Sequence, residues 1–398
     1  MPTTDEKIRD LVAHAYAHAP TFKRIMDAAS VTPEQVQGAD DLAKLPVTPK
    51  DKLVEFQQAD PPFGGLLTVD PESLPRIYIS PGPIFDPQPP HDEAEAHVAP
   101  FLAAGFGAGD RVLNTFMYHL TPAGLLLDQG LRHVGATVIP TGPGNTDLQI
   151  MMMNALRASG FVGQPSFLGI ILDKCEEMGI PKESIPIKKA LFSAEPYFPS
   201  QRARFEGEYG IATVNAYGTA DLGFLAYTRP FEDGFRIMDS IYLELVDKDT
   251  GERVEEGTPG EVVVTTFNRG YPLIRFGTGD LAVFVPNEQG EQVMRLVGRV
   301  GDAIKVRGMF LHPNQITAAM SRIPQVKHAQ AVISRPADKD YLLMLVELKP
   351  EYADADVTDA VTAYVQGMAR LRVDEVRVVE PGVIDPGQRM VKDERKWD

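Results

Sequence analysis

The sequence has little cysteine and no long apolar run. Its single cysteine, Cys175, excludes a disulfide framework and a cysteine-based zinc site. No apolar stretch approaches the roughly 20 residues of a membrane-spanning helix, and the polar opening MPTTDEKIRD lacks the apolar segment of a signal peptide. We therefore expect a cytoplasmic protein without a membrane partner, in which Cys175 is a structural residue.

Positive charge is also scarce. Lysine and arginine number 39 against 55 aspartates and glutamates, so the formal net charge is -16. A field of this sign repels phosphate backbones and makes nucleic acid an unfavourable partner. Nucleotides are not excluded, because backbone N–H groups and a few local basic side chains can hold their phosphates.

The 398 residues are enough for two or three domains. From about 93 to 230, helical patterns alternate with short apolar strands, which is typical of an α/β domain with a largely parallel sheet. From about 235 to 297 strands predominate and predict a β-barrel-like subdomain, and a small α+β module follows. We predict a large N-terminal domain of layered sheets and helices at 1–297 and a small C-terminal lid domain at 298–398.

The strands of the α/β region are predicted from short apolar runs between turn residues. They are Arg111–Phe116, Thr137–Pro140, Gly160–Val162, Lys189–Phe192 and Ala212–Asn215. In the strand-rich region the corresponding runs are Ile241–Asp247, Glu261–Thr266, Leu281–Pro286 and Val293–Val297.

The run NAYGTAD, residues 215–221, follows one of these strands. Gly218 lets the backbone turn tightly beside a ligand. The hydroxyl of Thr219 and the carboxylate of Asp221, two residues apart, can hold a phosphate and its magnesium ion together. A surface turn without a ligand is the alternative interpretation.

Two further runs have the composition of ligand-binding turns. In PLIRFGTGD, residues 272–280, the carboxylate of Asp280 can accept both hydroxyls of a ribose. A β-hairpin turn at Gly-Thr-Gly-Asp is the alternative. The run GRVGDAIKVRG, residues 298–308, lies where the composition changes. Its glycines and alternating charges indicate a hinge that also contacts a ligand.

In their order and spacing, the three runs resemble the core motifs of the adenylate-forming superfamily of acyl-CoA synthetases, peptide-synthetase adenylation domains and luciferases. The opening segment, with DLAKLPVTPKDKL at 41–53, resembles that of the phenylacetate–CoA ligase family. The likeness extends from near residue 7 to near residue 395.

The resemblance implies a nucleotide site in the N-terminal domain. Thr219 matches the family's phosphate contact, and Asp221 matches the carboxylate on the magnesium side, where glutamate is more common. Asp280 matches the ribose-binding aspartate, and Arg299 matches the arginine that assists it.

The adenine is expected to lie between two loops. Ser193-Ala194-Glu195-Pro196 resembles the family's Gly-Gly-Glu-Pro loop beside the adenine. On the other side, Asn215, Ala216, Tyr217 and Gly218 would contact the nucleotide, with Tyr217 on the adenine face.

The acid pocket is implied by Tyr118-His119, which resembles the family's aromatic–histidine motif. His119 would act at the reacting acid, although a structural histidine is the alternative. The wall of the pocket is expected from Tyr118, Phe161, Gly163 and Tyr217.

The sequence departs from the family at the loop that cradles the phosphates. The family has a Ser/Thr/Gly-rich loop ending in lysine, whereas this chain reads Ser80-Pro81-Gly82-Pro83-Ile84-Phe85-Asp86-Pro87. Prolines remove backbone N–H donors and fix φ. We therefore expect a weaker grip on the β- and γ-phosphates, with the loop acting as a rigid wall.

Two departures lie in the C-terminal region. Gly301 stands beside Asp302 where the family has two aspartates, and it would still permit rotation of the lid. The face with Lys305, Arg307 and Gly308 would line the path of coenzyme A.

The catalytic lysine of the family has no direct counterpart. The pattern ending Val391-Lys392-Asp393-Glu394-Arg395 places its position near Arg389, which keeps the charge but not the ammonium geometry. Lys392 is the second candidate.

The resemblance implies an AMP-forming acid:CoA ligase that uses ATP, Mg²⁺ and coenzyme A on an aryl or arylacetic acid. An acyl-adenylate forms first, and the thiol of coenzyme A then displaces AMP. Two alternatives stay open: a catalytically silent homologue that binds a nucleotide or acyl-CoA, and an adenylating enzyme with another acyl acceptor. A homodimer is compatible with the family.

Overall fold

The computed structural model describes residues 2–80, 84–90, 97–300, 304–307, 309–311, 313–336, 340–369, 371–385 and 388–395. The chain divides into two compact units. The first comprises Met1–Thr258, Val262–Thr278 and Phe284–Arg295. The second comprises Pro259–Glu261, Gly279–Val283 and Leu296–Asp398.

The described helices are α1 (Thr4–His18), α2 (Pro20–Ala28), α3 (Lys52–Ala59), α4 (Ala99–Ala103), α5 (Ala123–His133), α6 (Thr146–Ala155), α7 (Pro165–Glu177), α8 (Pro199–Arg202), α9 (Pro313–Met320) and α10 (Thr358–Ala369). Strands β1 to β10 are Thr48–Pro49, Arg76–Ser80, Ile84–Gln88, Arg111–Asn114, Thr137–Ile139, Gly160–Gly163, Lys189–Phe192, Ala212–Thr219, Gly223–Tyr227 and Arg236–Ile237. Strands β11 to β20 are Ile241–Val246, Gly260–Thr266, Phe276–Pro286, Gln292–Arg299, Ile304–Val306, Met309–Leu311, Val326–Ser334, Tyr341–Leu348, Glu375–Val379 and Val391–Asp393.

The first unit is organised around a seven-stranded sheet in the order β10-β9-β8-β7-β6-β4-β5. Strands β5, β4, β6, β7 and β8 are parallel, and β9 and β10 add antiparallel strands at one edge. Strand β6 is buried throughout, and β4 and β7 are buried after their first residue, which explains their largely apolar composition. The α/β alternation predicted from the sequence is thereby confirmed.

Apolar side chains of β6, β7, α6 and α7 meet in one core cluster beside this sheet. Phe161, Phe192 and Phe205 are fully buried there, with ring centroids about 6 Å apart. Cys175 is buried in the same cluster, as expected of a structural residue. The cluster supports the carboxyl ends of the parallel strands.

A second sheet contains β1, β13, β12 and β11 in that order, with β14 also pairing with β13. It occupies the strand-rich region in which a barrel-like subdomain was predicted. The turn interpretation of Gly277–Asp280 is wrong, because these residues lie inside the continuous strand β13. The two glycines of this segment suggested a turn. Gly279 does adopt a left-handed conformation, with φ of 74°, but it does so within the strand.

The second unit contains a four-stranded sheet in the order β19-β18-β17-β20 and the hairpin β15–β16. Helices α9 and α10 contribute Ile316, Val361 and Val365 to a core with the sheet residues Ala331 and Met344. This is the small α+β module that the sequence predicted. In the described part of the chain, no helix combines the length and apolar character needed to cross a bilayer.

Candidate active site

The adenine loop begins where β7 ends, at the carboxyl edge of the parallel sheet. This is the edge at which open α/β sheets bind their ligands. The Ser193 hydroxyl donates to the Ala216 carbonyl at 2.7 Å, which fastens the loop to β8. Glu195 accepts the Ser166 backbone N–H at 2.6 Å in the first turn of α7. Two of the predicted nucleotide segments, 193–196 and 215–218, are therefore adjacent.

Ala194 stands in the centre of this loop with φ of 73°. That conformation is favourable for glycine and costs energy for any residue with a Cβ. The family pattern has glycine here, so the alanine keeps the backbone shape of the loop at the expense of strain. The Ala194 side chain is exposed, as is Pro196.

Strand β8 carries the other nucleotide segment. Tyr217 is buried and packs edge-on against Phe235, with the ring centroids 6.2 Å apart. Its hydroxyl oxygen lies 3.5 Å from that of Thr278. Gly218 faces the carbonyl of Gly223 so closely that a Cβ would clash. Thr219 ends the strand, and its hydroxyl accepts the Leu222 N–H at 3.3 Å.

Asp221 lies in the turn after β8, and its side chain is fully buried. The Lys50 ammonium is 2.5 Å from one carboxylate oxygen, and the Ser80 hydroxyl donates to the other at 3.2 Å. Lys50 and Ser80 thus engage one oxygen each of the carboxylate, and the magnesium role of Asp221 stays a prediction. No group of three metal-ligating side chains occurs among the described residues.

Asp86 lies next to this pair, in the middle of β3. It is 6% exposed, and burial together with the charge of Asp221 raises its pKa to about 7. The sequence indicated an acidic residue, Asp86, in the segment that replaces the phosphate loop. It gave no signal for Lys50.

The two predicted ribose residues form an ion pair. Arg299 Nε lies 3.0 Å from Asp280 Oδ1. The local backbone is fixed by the Val300 N–H, which donates to the Gly279 carbonyl at 2.7 Å, and by the Gly279 N–H, which donates to Glu261. The motif with Asp280 and the motif with Arg299 are therefore joined, as the resemblance implied.

The residues predicted for the acid pocket differ in their exposure and in their contacts. The Tyr118 hydroxyl accepts from Asn114 and donates to Asp128, and burial with the Asp128 charge raises its pKa. His119 is exposed. Phe161 has no exposed surface and belongs to the core, where Gly163 contacts it and leaves no room for a Cβ. A residue so enclosed supports a pocket from behind rather than lining it.

Of the predicted lid residues, the structure describes four at least in part. Arg389 has an exposed side chain and a carbonyl that accepts from Gln330 at 2.8 Å. Lys392 lies in β20, paired with Glu394 at 2.7 Å. The Arg307 guanidinium contacts the carbonyls of Asp340 and Arg372 and the carboxylate of Asp374.

These bonds of Arg307 lie within the second unit, and its role toward coenzyme A stays a prediction. Only the strand backbone is described for Lys305. Five further predicted positions lie outside the described residues: Pro81, Gly82, Gly301, Asp302 and Gly308.

The first unit contains a cavity of about 600 Å³. Its wall includes the β2–β3 hairpin, the start of α5 and the turn Ala220–Gly223, with Asp86 and Asp221 on its surface. None of Tyr118, Phe161, Gly163 and Tyr217 lines it. The cavity therefore adjoins the loop after Thr219 and differs from the pocket that the sequence predicted.

The fold and these loops define the class of adenylate-forming CoA ligases. The chain superposes on 2-hydroxyisobutyryl-CoA ligase in complex with 2-HIB-AMP and CoA, in an open conformation, with a TM-score of 0.84. The match covers 98% of this chain and 91% of that one at 24% identity. At this identity the likeness establishes the fold. No family model matches the sequence.

Curated relatives identify the branch. The phenylacetate–coenzyme A ligases of Aromatoleum evansii and Thermus thermophilus are each 30% identical, over 87% of this chain and 81% of theirs. The enzyme of Escherichia coli is 28% identical over 86% of this chain and 81% of its own. The chain belongs to the phenylacetate–CoA ligase family, whose members are AMP-forming acid–thiol ligases.

Proposed function

We propose that this protein activates an aryl or arylacetic acid with ATP and transfers the acyl group to coenzyme A. The observation that carries the proposal is the pairing of predicted nucleotide segments within each unit. In the first unit Ser193 fastens the adenine loop to β8, and in the second Arg299 pairs with Asp280 at 3.0 Å. The resemblance assigns both members of each pair to the nucleotide.

In the first half-reaction, the acid's carboxylate attacks the α-phosphate and pyrophosphate leaves. Two anions must approach one another, so fixed donors and cations beside the phosphate lower the barrier. Thr219 supplies a hydroxyl there, and Tyr217 and the 193–196 loop hold the adenine. Asp280 binds the ribose, with Arg299 orienting it.

We assign the lid cation to Arg389 rather than Lys392. Arg389 precedes β20, is exposed, and uses only its backbone carbonyl for structure. Lys392 is in register with Val332 inside the sheet and is paired with Glu394. In the second half-reaction the thiol of coenzyme A attacks the acyl carbon and AMP leaves.

Magnesium stays a prediction of the family resemblance and enters no step of this proposal, while Lys50 and Ser80 engage Asp221. The same contact supports the second candidate function, a silent homologue that binds nucleotide or acyl-CoA. With Asp86 beside it, the site offers poor electrostatic support to a triphosphate. The single cysteine agrees with a cytoplasmic location, and a homodimer remains a prediction.

The test is pyrophosphate release by purified protein given ATP, Mg²⁺ and a panel of aryl, arylacetic and alicyclic acids, with and without coenzyme A. We expect one aryl acid to stimulate release and AMP formation to depend on coenzyme A. Release without a response to coenzyme A would indicate another acyl acceptor. No release, from protein that still binds AMP, would establish the silent homologue.

A further inference from the structure

The 600 Å³ cavity has the size of a small-molecule site. It begins at the turn Ala220–Gly223, which directly follows Thr219, and its wall includes Pro122 and Leu126 near the start of α5. An acid whose carboxylate lies beside Thr219 would extend its other end toward this space.

Three cavity-lining residues have buried polar atoms without a hydrogen-bond partner in the described part of the chain. These atoms are both carboxylate oxygens of Asp86, the hydroxyl of Ser240 and the hydroxyl of Tyr271. Asp86 and Tyr271 are 6% and 5% exposed. More than nine-tenths of buried polar groups in proteins have a partner, so three such residues around one cavity offer hydrogen-bonding groups to a ligand.

The polarity of these groups determines what that ligand presents. The Lys50 ammonium, whose charge also acts on Asp86, is bonded to Asp221 rather than to Asp86. A ligand carboxylate or phosphate at this end would meet two aspartates and be repelled. A hydroxyl or amino group would give Asp86 the donor it lacks, and Ser240 and Tyr271 could complete its hydrogen bonds.

The remaining wall is mixed: Lys7, His14 and Arg269 line it together with apolar side chains that suit a carbon skeleton. Leu126, Leu222 and Leu273 all line the cavity. Burial of this apolar surface favours an organic ligand over water molecules. The polar end of the cavity would fix the orientation of that ligand.

We propose that this cavity receives the distal end of the acid substrate and selects acids that carry a hydrogen-bond donor, held by Asp86, Ser240 and Tyr271. The inference rests on the proposed function, since it assumes that the acid's carboxylate lies near Thr219. It narrows the substrate class from aryl acids in general to hydroxy- or amino-substituted ones.

The test is calorimetric binding without ATP, so that turnover plays no part. The probes are the 2-, 3- and 4-hydroxyphenylacetates and the matching fluorophenylacetates, which are similar in size but lack the donor. At least one hydroxy isomer should bind about tenfold more tightly than its fluoro partner, as expected for a hydrogen bond to a carboxylate. Asp86→Asn and Tyr271→Phe should each reduce that ratio to about threefold or less.

Matched controls keep the result interpretable. Asp110→Asn and Tyr209→Phe change buried residues of the same types that do not line the cavity, and both should keep the full ratio. Thermal unfolding would identify any variant that fails to fold. If Asp86→Asn does not fold, the test depends on Tyr271→Phe, which keeps the shape of the aromatic ring.

The outcomes separate the two proposals. Equal binding of both series, with pyrophosphate release still stimulated by aryl acids, would overturn donor selection and leave the proposed function intact. A ratio unchanged in both cavity variants would also overturn it. If neither series binds and no acid stimulates release, both proposals fail.

Discussion

The ammonium of Lys50 lies 2.5 Å from the carboxylate of Asp221, across 171 residues of sequence. The Asp221 side chain is fully buried, and that of Lys50 is 28% exposed. A buried carboxylate depends on its partner, because an uncompensated charge in the interior costs several kcal/mol. The pair therefore connects the N-terminal segment to the turn that follows Thr219.

Replacing Lys50 with methionine should lower the free energy of unfolding by about 2–4 kcal/mol, somewhat less than a fully enclosed pair would lose. Urea denaturation is the measurement. Lys52→Met is the matched control: its partner Glu55 is exposed, so little change is expected. Adding Asp221→Asn to Lys50→Met should restore part of the loss, and a purely additive double variant would contradict the pairing.

Asp86 should make stability fall as pH rises. Its folded pKa is about 7 against an ordinary value of 3.8, so the folded state binds more protons between these limits. The resulting cost is absent below about pH 4 and complete above about pH 7. Asp86→Asn removes it, with a gain of up to about 4 kcal/mol at neutral pH, because each unit of pKa shift corresponds to about 1.4 kcal/mol.

The measurement for Asp86 is urea denaturation of both proteins from about pH 5 to pH 8, where the advantage of the variant should grow. Asp110→Asn provides the contrast. Although burial opposes it, the hydrogen bonds from Lys189 and Ser159 lower the pKa of Asp110. That variant should instead lose stability, most at high pH, and parallel profiles would refute the assignment.

Ala194→Gly should stabilise the adenine loop slightly. The φ of 73° costs alanine about 1 kcal/mol of strain, which glycine would relieve. Part of this gain is lost, because glycine has more conformational freedom in the unfolded chain. We expect a net gain of about 0.5 kcal/mol by thermal unfolding. Ala13→Gly, at an exposed position of α1, should instead lose about 1 kcal/mol. A loss of similar size at both positions would show that Ala194 is unstrained.

Asp280→Asn should weaken AMP binding by about tenfold, because one acceptor for a ribose hydroxyl is lost. Arg299→Gln should have a smaller effect, since Arg299 orients the carboxylate and is 65% exposed. Arg295→Gln, on the same strand, is the control. Calorimetry with AMP is the measurement, and unchanged affinity in Asp280→Asn would remove the ribose assignment.

How much the sequence predicts depends on whether a feature is local. Strand Lys189–Phe192 begins and ends where its apolar pattern places it, because burial is set within a few residues. The misread segment Gly277–Asp280 has the composition of a turn, and only its pairing partners keep it extended.

The electrostatic features of the site are non-local and were not predicted. The charges that face Asp221 come from Lys50 in the N-terminal segment and Asp86 in a hairpin, and no spacing rule relates them. The Arg299–Asp280 pair was predictable only through the family resemblance, since 19 residues separate two motifs that look unrelated by composition.

The lid variants test which cation assists adenylation. Arg389→Ala should reduce acid-dependent pyrophosphate release by about a hundredfold or more, as expected when a charge on the transferring phosphoryl group is removed. AMP affinity should change little. Lys392→Ala should retain at least about a third of the activity, because its side chain is already paired with Glu394. Arg389→Lys, which restores the family's residue type, should keep or raise the rate. A loss confined to Lys392→Ala would instead mean that β20 leaves its register with β17 during catalysis, since Lys392 could not otherwise exchange Glu394 for a phosphate.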